Sequence, residues 1–322
     1  MPADGAHGVG PGTPVEVVYS RPPGPLPAPT ILPATPGSWS WAAPGRRVFK
    51  PAGYWMPGTV YTVSVPLPGG TPAADPVIRF RTALPPTMLL QQYLAMLGYL
   101  PLRFVPSGDL PNRRAVLQVE PASPDLVGQT SLDGTFSWAY PGVPGTLSSL
   151  WHPGQPNMLT NGAILQFEQA EGLATDGDAG PLMWEALLRA VAARRADPAP
   201  YNYVVISESL PETLTVWQDG KDVYSTPVNT GAPGSATPQG TWPVVFKQDP
   251  NLMKGCEPDG SCYQVWVRYA SYFLPSVGDA IHAYPRYSYG YPQSNGCVEV
   301  EPSQGQVVYG YDPVGTLVTV TS

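Results

Sequence analysis

The sequence predicts a multidomain protein that is mainly β. Its 322 residues are enough for two or three domains, each able to bury its own core. Proline (43) and glycine (34) are both well above average usage and charged residues make up only 13%, so long helices should be few. Hydrophobic residues reach 43%, with nine Trp and eighteen Tyr, which is enough apolar surface to order the chain.

Charge and hydropathy exclude two classes of partner. The formal net charge is -7, and the 17 Lys and Arg residues are scattered, whereas a phosphate backbone requires a clustered basic face. No run of eighteen apolar residues occurs, so we expect no transmembrane segment. The first residues lack the basic and apolar regions of a signal peptide. We therefore expect either a cytosolic protein or a secreted one whose leader is absent from this sequence.

The N-terminal part predicts a lead-in followed by a β domain. Residues 1–14 are rich in Gly and Pro and predict a flexible segment. Over 15–84 the pattern is one of short strands separated by turn residues, and Tyr61, Val63 and Val65 alternate onto one face. This pattern predicts a small β-sandwich.

Between 86 and 196 the hydrophobic period becomes helical. Leucines recur at helical spacing from Leu89 and stop at Gly98, a residue typical of the position after a helix. A second helix is predicted from about 161 to 170 with Gly172 just past its end, and a third begins at Pro181. We expect a small α-helical domain here.

The last domain, over 201–322, is predicted to be rich in strands. A proline-rich linker precedes it, and its first hydrophobic run is Tyr203-Val204-Val205-Ile206. Two further alternating runs flank Asp219-Gly220, which is the strongest signal for a two-residue hairpin in the chain.

The three cysteines indicate one bridge and one free thiol. Cys256 and Cys262 flank Pro-Asp-Gly, a turn signal, and a disulfide between them would leave Cys297 unpaired. That arrangement favours an oxidising compartment. Three reduced, buried thiols in a cytosolic protein are the alternative. The spacing of the three histidines matches no zinc pattern, so no metal site is expected.

Cys297 and His282 are the candidate catalytic pair. An ordinary thiol is mostly protonated at neutral pH, so a nucleophilic Cys needs a base, and His282 is the one histidine of the last domain. The fourteen residues between them can loop out while the chain returns to bring the two side chains together. Gly296 lacks a Cβ, so its backbone can approach a substrate, and the N–H groups around Gly296 and Cys297 can face an oxyanion. Alternatively His282 is a structural histidine and Cys297 a small buried residue.

Residues 201–322 resemble the L,D-transpeptidase (YkuD) catalytic domain. The matching pieces are Thr-Pro-Gln-Gly-Thr-Trp over 237–242, Ile281-His282, Ser294-x-Gly296-Cys297-Val298 and the closing segment to Val320. The resemblance implies that Cys297 is the acylated nucleophile and His282 its base. It also implies that the backbone carbonyl of Ala283 orients the imidazole ring.

The resemblance places three further residues next to the substrate. Tyr263 lies where the family has a lid tyrosine near the oxyanion, and Ser294 and Asn295 precede the Gly-Cys pair. The family usually has His where this chain has Asn295. Because Asn still donates and accepts hydrogen bonds, we expect the site to remain active, with altered catalytic properties.

Glu299, two places after Cys297, is a second departure from the family. A carboxylate this close disfavours the thiolate. We expect its side chain to point away or to pair with Arg286 or Arg268.

The two upstream segments resemble modules of cell-wall proteins. Residues 15–84 resemble bacterial Ig-like modules. Residues 86–196 resemble a peptidoglycan-binding domain, through the Leu94–Leu100 helix, the Asp-Gly-Thr-Phe turn at 133–136 and the Asp-Gly-Asp-Ala-Gly-Pro run at 176–181. Glu168 replaces the usual Gln of that family, and 138–160 is an insertion.

Together these resemblances imply a secreted or cell-envelope L,D-transpeptidase. Cys297 would attack the third residue of a tetrapeptide stem of peptidoglycan, expel D-alanine and form a thioester, which an amine of a neighbouring stem would resolve. Carbapenems would acylate the same thiol, and no cofactor is needed. The alternatives are an L,D-carboxypeptidase, in which water resolves the thioester, and a non-catalytic peptidoglycan-binding protein.

Overall fold

A computed structural model describes residues 2–69, 75–108, 131–256 and 262–322. The chain divides into two compact units. The first comprises Met1–Tyr93, Pro106–Gly134 and Ala179–Ala196, and the second comprises Leu94–Val105, Thr135–Asp178 and Asp197–Ser322. The stretch 86–196, expected as one domain, is therefore shared between the units. In the described residues no helix is long and apolar enough to cross a membrane.

The first unit contains two sheets that share one core. The strands are β1 (Ala6–Val9), β2 (Val15–Val18), β3 (Thr30–Leu32), β4 (Gly37–Ala43), β5 (Arg46–Pro51), β6 (Val60–Ser64) and β7 (Val77–Thr82). One sheet has the order β1-β7-β6-β3 and the other the order β2-β5-β4. Trp55 is fully buried at their centre, with ring centroids of Tyr61 and Phe80 at 4.7 and 5.4 Å. Tyr61, Val63 and Val65 are all buried, as the alternation predicts.

The expected lead-in differs from the structure. Residues 6–9 form β1, which pairs in parallel with β7. The Val9 carbonyl accepts a hydrogen bond from the Ala83 N–H at 2.9 Å, and Val9 is 8% exposed. The glycine- and proline-rich sequence around β1 does not indicate a strand, because the pairing partner, β7, lies some seventy residues away in the sequence. The assignment of the sandwich to the Ig-like modules stays a prediction.

Between the sandwich and the last domain the chain is mainly helical. The helices are α1 (Thr87–Met96), α2 (Gly145–Ser148), α3 (Met158–Glu171) and α4 (Pro181–Ala193), and a two-stranded sheet is formed by β8 (Leu102–Pro106) and β9 (Gly134–Trp138). The Asn157 side chain caps α3, and Gly172 ends it in the left-handed conformation. Pro181 occupies the first turn of α4, as predicted. The peptidoglycan-binding assignment of this stretch stays a prediction.

The second unit is built around one large sheet. Its strands are β10 (Asn202–Ser207), β11 (Thr213–Gln218), β12 (Lys221–Asn229), β13 (Gly240–Pro243), β14 (Phe246–Gln248), β15 (Asn251–Cys256), β16 (Cys262–Leu274), β17 (Asp279–Ala283), β18 (Val298–Val300) and β19 (Leu317–Thr321), and α5 (Pro302–Tyr311) follows β18. The order is β13-β19-β10-β11-β12-β18-β17-β16-β14, with β15 paired to β16. Aliphatic residues of β10, β11, β17, β18 and β19 form its core.

The hairpin predicted in this unit is confirmed, and the Cys256–Cys262 pairing stays a prediction. Asp219 and Gly220 connect β11 to β12 with φ angles of 49° and 104°, the positive values that a two-residue hairpin requires. Cys262 is disulfide-bonded and lies opposite Cys256 in the register of β15 and β16, while Cys297 is a free thiol. The Pro-Asp-Gly turn predicted between Cys256 and Cys262 lies outside the described residues.

Candidate active site

The pairing of β17 with β18 brings the predicted catalytic residues together. The two strands run in parallel, with Ile281 opposite Val298 and His282 opposite Glu299. Cys297 immediately precedes β18. Because residues two apart on a strand share a face, His282, Cys297 and Glu299 lie on one face of the sheet. The intervening loop closes a gap of fifteen sequence positions, as the sequence predicts.

This face forms one wall of a cavity of about 220 Å³. The other wall comes from the β15–β16 hairpin and includes Tyr263. The predicted site residues that line the cavity are Tyr263, His282, Asn295 and Cys297. Tyr284, for which we found no sequence signal, and Arg286, expected as a partner of Glu299, also line it.

His282 is held as a neutral imidazole. It is 3% exposed, and burial lowers the pKa of its ring because the imidazolium form is poorly solvated there. Its Nδ1 lies 3.2 Å from the carbonyl oxygen of Ala283. A carbonyl can only accept, so Nδ1 carries the proton and Nε2 keeps a lone pair. Ala283 therefore orients the ring in the way that the resemblance implies.

Cys297 is held as a neutral thiol. Burial raises the pKa of this thiol to about 12, and the charges of Asp279 and Glu299 act in the same direction, against the backbone N–H of Ala280. Its Sγ lies 3.8 Å from the Gly278 carbonyl oxygen, which accepts the thiol hydrogen. The sequence argument required a neighbour that favours the thiolate. In this structure the dominant influences favour the thiol.

Gly296 is required by the conformation of the nucleophile loop, the segment 294–297 that ends at the predicted nucleophile Cys297. Its φ is 114°, a value that favours glycine, and a Cβ there would lie 2.5 Å from Oδ1 of Asp279. Its N–H donates to Ser294 Oγ at 3.2 Å, so that group is used inside the loop. The oxyanion role expected for the N–H groups around Gly296 and Cys297 stays a prediction. The glycine is needed for its backbone conformation and for the close approach of Asp279.

Ser294 and Asn295 differ in their surroundings. Ser294 is 1% exposed, and its Oγ donates to the Cys297 carbonyl oxygen at 2.5 Å. It braces the loop from within. Asn295 is exposed and lines the cavity, where a substrate would meet it.

Glu299 forms a bidentate ion pair with Arg286. Arg286 Nε and Nη2 lie 2.7 and 2.8 Å from its two carboxylate oxygens. This is one of the two pairings expected from the sequence. Arg268 instead binds Asp249, with Nε at 2.6 Å from the carboxylate. The pairing turns the Glu299 charge toward Arg286 and so limits its effect on the thiol.

A buried network supports the loop from behind, and the sequence analysis missed it. Thr237 Oγ1 donates to the Gly296 carbonyl at 2.7 Å, which ties the predicted 237–242 motif to the nucleophile loop. The Ser294 N–H donates to the Thr230 carbonyl, and the Thr230 N–H donates to the Glu212 carboxylate at 2.7 Å. Glu212 is 1% exposed. A buried carboxylate bound by the backbone N–H and the hydroxyl of one residue, Thr230, has no local sequence signal, because that residue lies eighteen positions away.

The buried imidazole of His282 and the free thiol of Cys297 line the same cavity. Residues 201–320 match the model of the YkuD family, the L,D-transpeptidase catalytic domain. This part of the chain is therefore an L,D-transpeptidase catalytic domain, and the function it supports is that of a peptidoglycan L,D-transpeptidase.

The chain is also similar to solved structures of L,D-transpeptidases. An enzyme from Mycobacterium smegmatis is 16% identical with a TM-score of 0.35, over 100% of this chain and 96% of that chain. L,D-transpeptidase 3 from Mycobacterium tuberculosis, solved also with a faropenem-derived adduct, is 16% identical with a TM-score of 0.35, over 100% and 96%. The catalytic domain from E. faecium is 26% identical with a TM-score of 0.35, over 39% and 100%. A comparison with curated protein sequences gives no match.

Proposed function

We propose that this protein cross-links peptidoglycan stem peptides through a thioester on Cys297. The observation that carries the proposal is the β17–β18 register, which places Cys297 and His282 on one face of one cavity inside the matched domain. A lone pair on Nε2 of His282 and a thiol at Cys297 are the two groups that acyl transfer requires.

The first half-reaction breaks the peptide bond of the donor. Cys297 Sγ attacks the carbonyl carbon of the third stem residue while His282 Nε2 takes the thiol proton. The tetrahedral intermediate collapses, the carbon–nitrogen bond breaks, and His282 returns the proton to the amine of the departing D-alanine. In the second half-reaction an amine of a neighbouring stem attacks the thioester, His282 takes its proton, and the thiol is restored.

Because both partners begin neutral, the proton moves as the sulfur attacks. A thiol with a pKa near 12 supplies little free thiolate at neutral pH, so general-base assistance by His282 is the step that makes the attack possible. The Ala283 carbonyl fixes the tautomer and stabilises the imidazolium that forms. Tyr263 is proposed to donate to the oxyanion from the opposite wall, and Asn295 to bind the stem.

The wider setting of the reaction belongs to the same proposal. A substrate in the cell wall places the protein in the cell envelope or outside the cell, which agrees with the disulfide at Cys262. The β-sandwich and the helical segment would present the catalytic domain to peptidoglycan. Carbapenems would acylate Cys297, because their lactam carbonyl reacts with nucleophiles.

The test is the intact mass of the protein after incubation with a carbapenem or with a tetrapeptide donor. We expect a single covalent adduct that is absent in Cys297→Ser and strongly slowed in His282→Ala. His152→Ala is the matched control, because it removes a histidine outside the cavity. Tripeptide product without cross-linked dimer would identify the carboxypeptidase instead. An unmodified protein under reducing conditions would leave only a binding role.

A further inference from the structure

Three consecutive residues of β17 and the turn before it surround the thiol of Cys297. The Gly278 carbonyl accepts the thiol hydrogen at 3.8 Å, and the Ala280 N–H is directed at the sulfur. Between them, the Asp279 side chain packs against Gly296, the residue next to the nucleophile. A Cβ on Gly296 would lie 2.5 Å from Asp279 Oδ1, so the carboxyl fits directly against the loop backbone.

The Asp279 residue is largely buried. It is 5% exposed, and no described residue donates a hydrogen bond to it or forms an ion pair with it. Leu274 lies opposite it on β16 and offers no polar group. Burial alone raises the pKa of Asp279, to about 6, so the carboxyl is still ionised above neutral pH. An ionised carboxyl that is largely buried with no cation beside it does not stabilise the fold.

The Asp279 carboxyl packs against Gly296, so its charge acts on the neighbouring residue, Cys297. Two carboxylates raise the pKa of Cys297, and the contribution of Asp279 is larger than that of Glu299. The charge of Glu299 is shared with Arg286 through two hydrogen bonds. Asp279 has no such cation, so its charge acts on the sulfur without compensation.

We propose that Asp279 is a positioning residue that keeps Cys297 protonated and directed at Gly278 until substrate arrives. The S–H···O hydrogen bond to Gly278 exists only in the thiol form, and a neighbouring negative charge stabilises that form over the thiolate. A protonated thiol is the less oxidisable form, so the arrangement protects the single free thiol of the described chain. The proposal rests on the proposed function in taking Cys297 as the reacting group.

The test is the rate at which iodoacetamide alkylates Cys297 in Asp279→Asn, followed by intact mass from about pH 6 to 10. Asn keeps the size of the side chain and removes the charge. We expect alkylation at pH 8 to be faster by about tenfold than in the unmodified protein, which corresponds to a thiol pKa lower by about one unit. Inactivation by hydrogen peroxide should accelerate by a similar factor. Asp222→Asn, on an exposed part of β12, is the matched control and should change neither rate.

An alkylation profile of Asp279→Asn that superimposes on that of the unmodified protein would overturn the proposal. If Asp279→Asn does not fold, as judged by circular dichroism, Asp279→Ser removes the same charge with a smaller side chain and is measured in its place. Alkylation requires no peptide substrate. A protein that shows the Asp279 effect but transfers no stem peptide would therefore refute the proposed function and leave this inference standing.

Discussion

Replacing Glu168 by Gln should stabilise the protein at neutral and alkaline pH but not at acidic pH. Glu168 lies in α3, is 2% exposed, and its Oε2 accepts the Gly177 N–H at 3.0 Å. Burial raises the pKa of this carboxyl to about 7, and the charges of Asp176 and Asp178 raise it further. Gln can accept the same hydrogen bond through its amide oxygen. It is also the residue that the peptidoglycan-binding family usually has at this position.

The size and the pH window follow from the shift. The pKa rises from an ordinary 4.5 to about 7, and at about 1.4 kcal/mol per unit this amounts to about 3 kcal/mol. Because the folded-state pKa lies above the unfolded-state value, ionisation of Glu168 opposes folding. The penalty is absent below about pH 4.5, grows as the pH rises, and is complete above about pH 7. Gln carries no such penalty at any pH.

The assay is urea denaturation of both proteins at about pH 4.5, 6 and 8. The expected gain in the free energy of unfolding is close to zero at the lowest pH and about 3 kcal/mol at the highest. Glu171→Gln, at the end of the same helix, is the control for the loss of a negative charge. A gain that is the same at all three pH values would refute the electrostatic argument, and so would a variant that is less stable at pH 8.

Three further predictions concern the active site. Gly296→Ala should slow carbapenem acylation by at least about 100-fold and lower the free energy of unfolding by about 1–3 kcal/mol, because φ at Gly296 is 114° and the new Cβ would meet Asp279. Stopped-flow fluorescence measures the acylation rate, and thermal melting measures the stability. An acylation rate close to that of the unmodified protein would contradict this prediction. The acylation rate should fall at acidic pH as His282 becomes protonated, at a pKa below the ordinary value of histidine. It should stay level from about pH 7 to 9, because the pKa of the Cys297 thiol is about 12. A rate that falls above about pH 7 would instead indicate a thiolate–imidazolium pair. Arg286→Leu should lower the free energy of unfolding, measured by urea titration, by about 2 kcal/mol. This is less than for a fully buried ion pair, because Arg286 is about one-third exposed. Adding Glu299→Gln should restore most of the lost stability.

Local chemistry made part of this protein predictable. The hairpin at Asp219-Gly220, the start of α4 at Pro181 and the alternation of Tyr61, Val63 and Val65 each depend on residues a few positions apart, so their patterns are visible in the sequence. The pairing of Glu299 with Arg286 was one of two options, because charge alone identifies candidates and the register of β18 selects between them.

Features that depend on distant partners escaped prediction. β1 lies in a Gly- and Pro-rich stretch and owes its conformation to β7, far along the chain. Asp279 reads as an ordinary turn carboxylate after Gly278, yet it is buried because the loop bearing Gly296 folds over it. In both cases the missing information is which distant segment of the chain lies alongside.

In the mechanism that we propose, the opposite pKa shifts of Cys297 and His282 would make a slow thiol a selective nucleophile. In the resting protein the thiol hydrogen points to the Gly278 carbonyl, a weak sulfur hydrogen bond that rotation of the side chain breaks easily. His282 offers a better acceptor, but transfer to it would create two charges in a buried site. A substrate carbonyl at the sulfur changes this balance, because the negative charge then develops on the oxyanion rather than remaining on sulfur. Proton transfer therefore becomes favourable only with an acyl donor in place, so the same burial that suppresses the free thiolate makes reaction dependent on substrate.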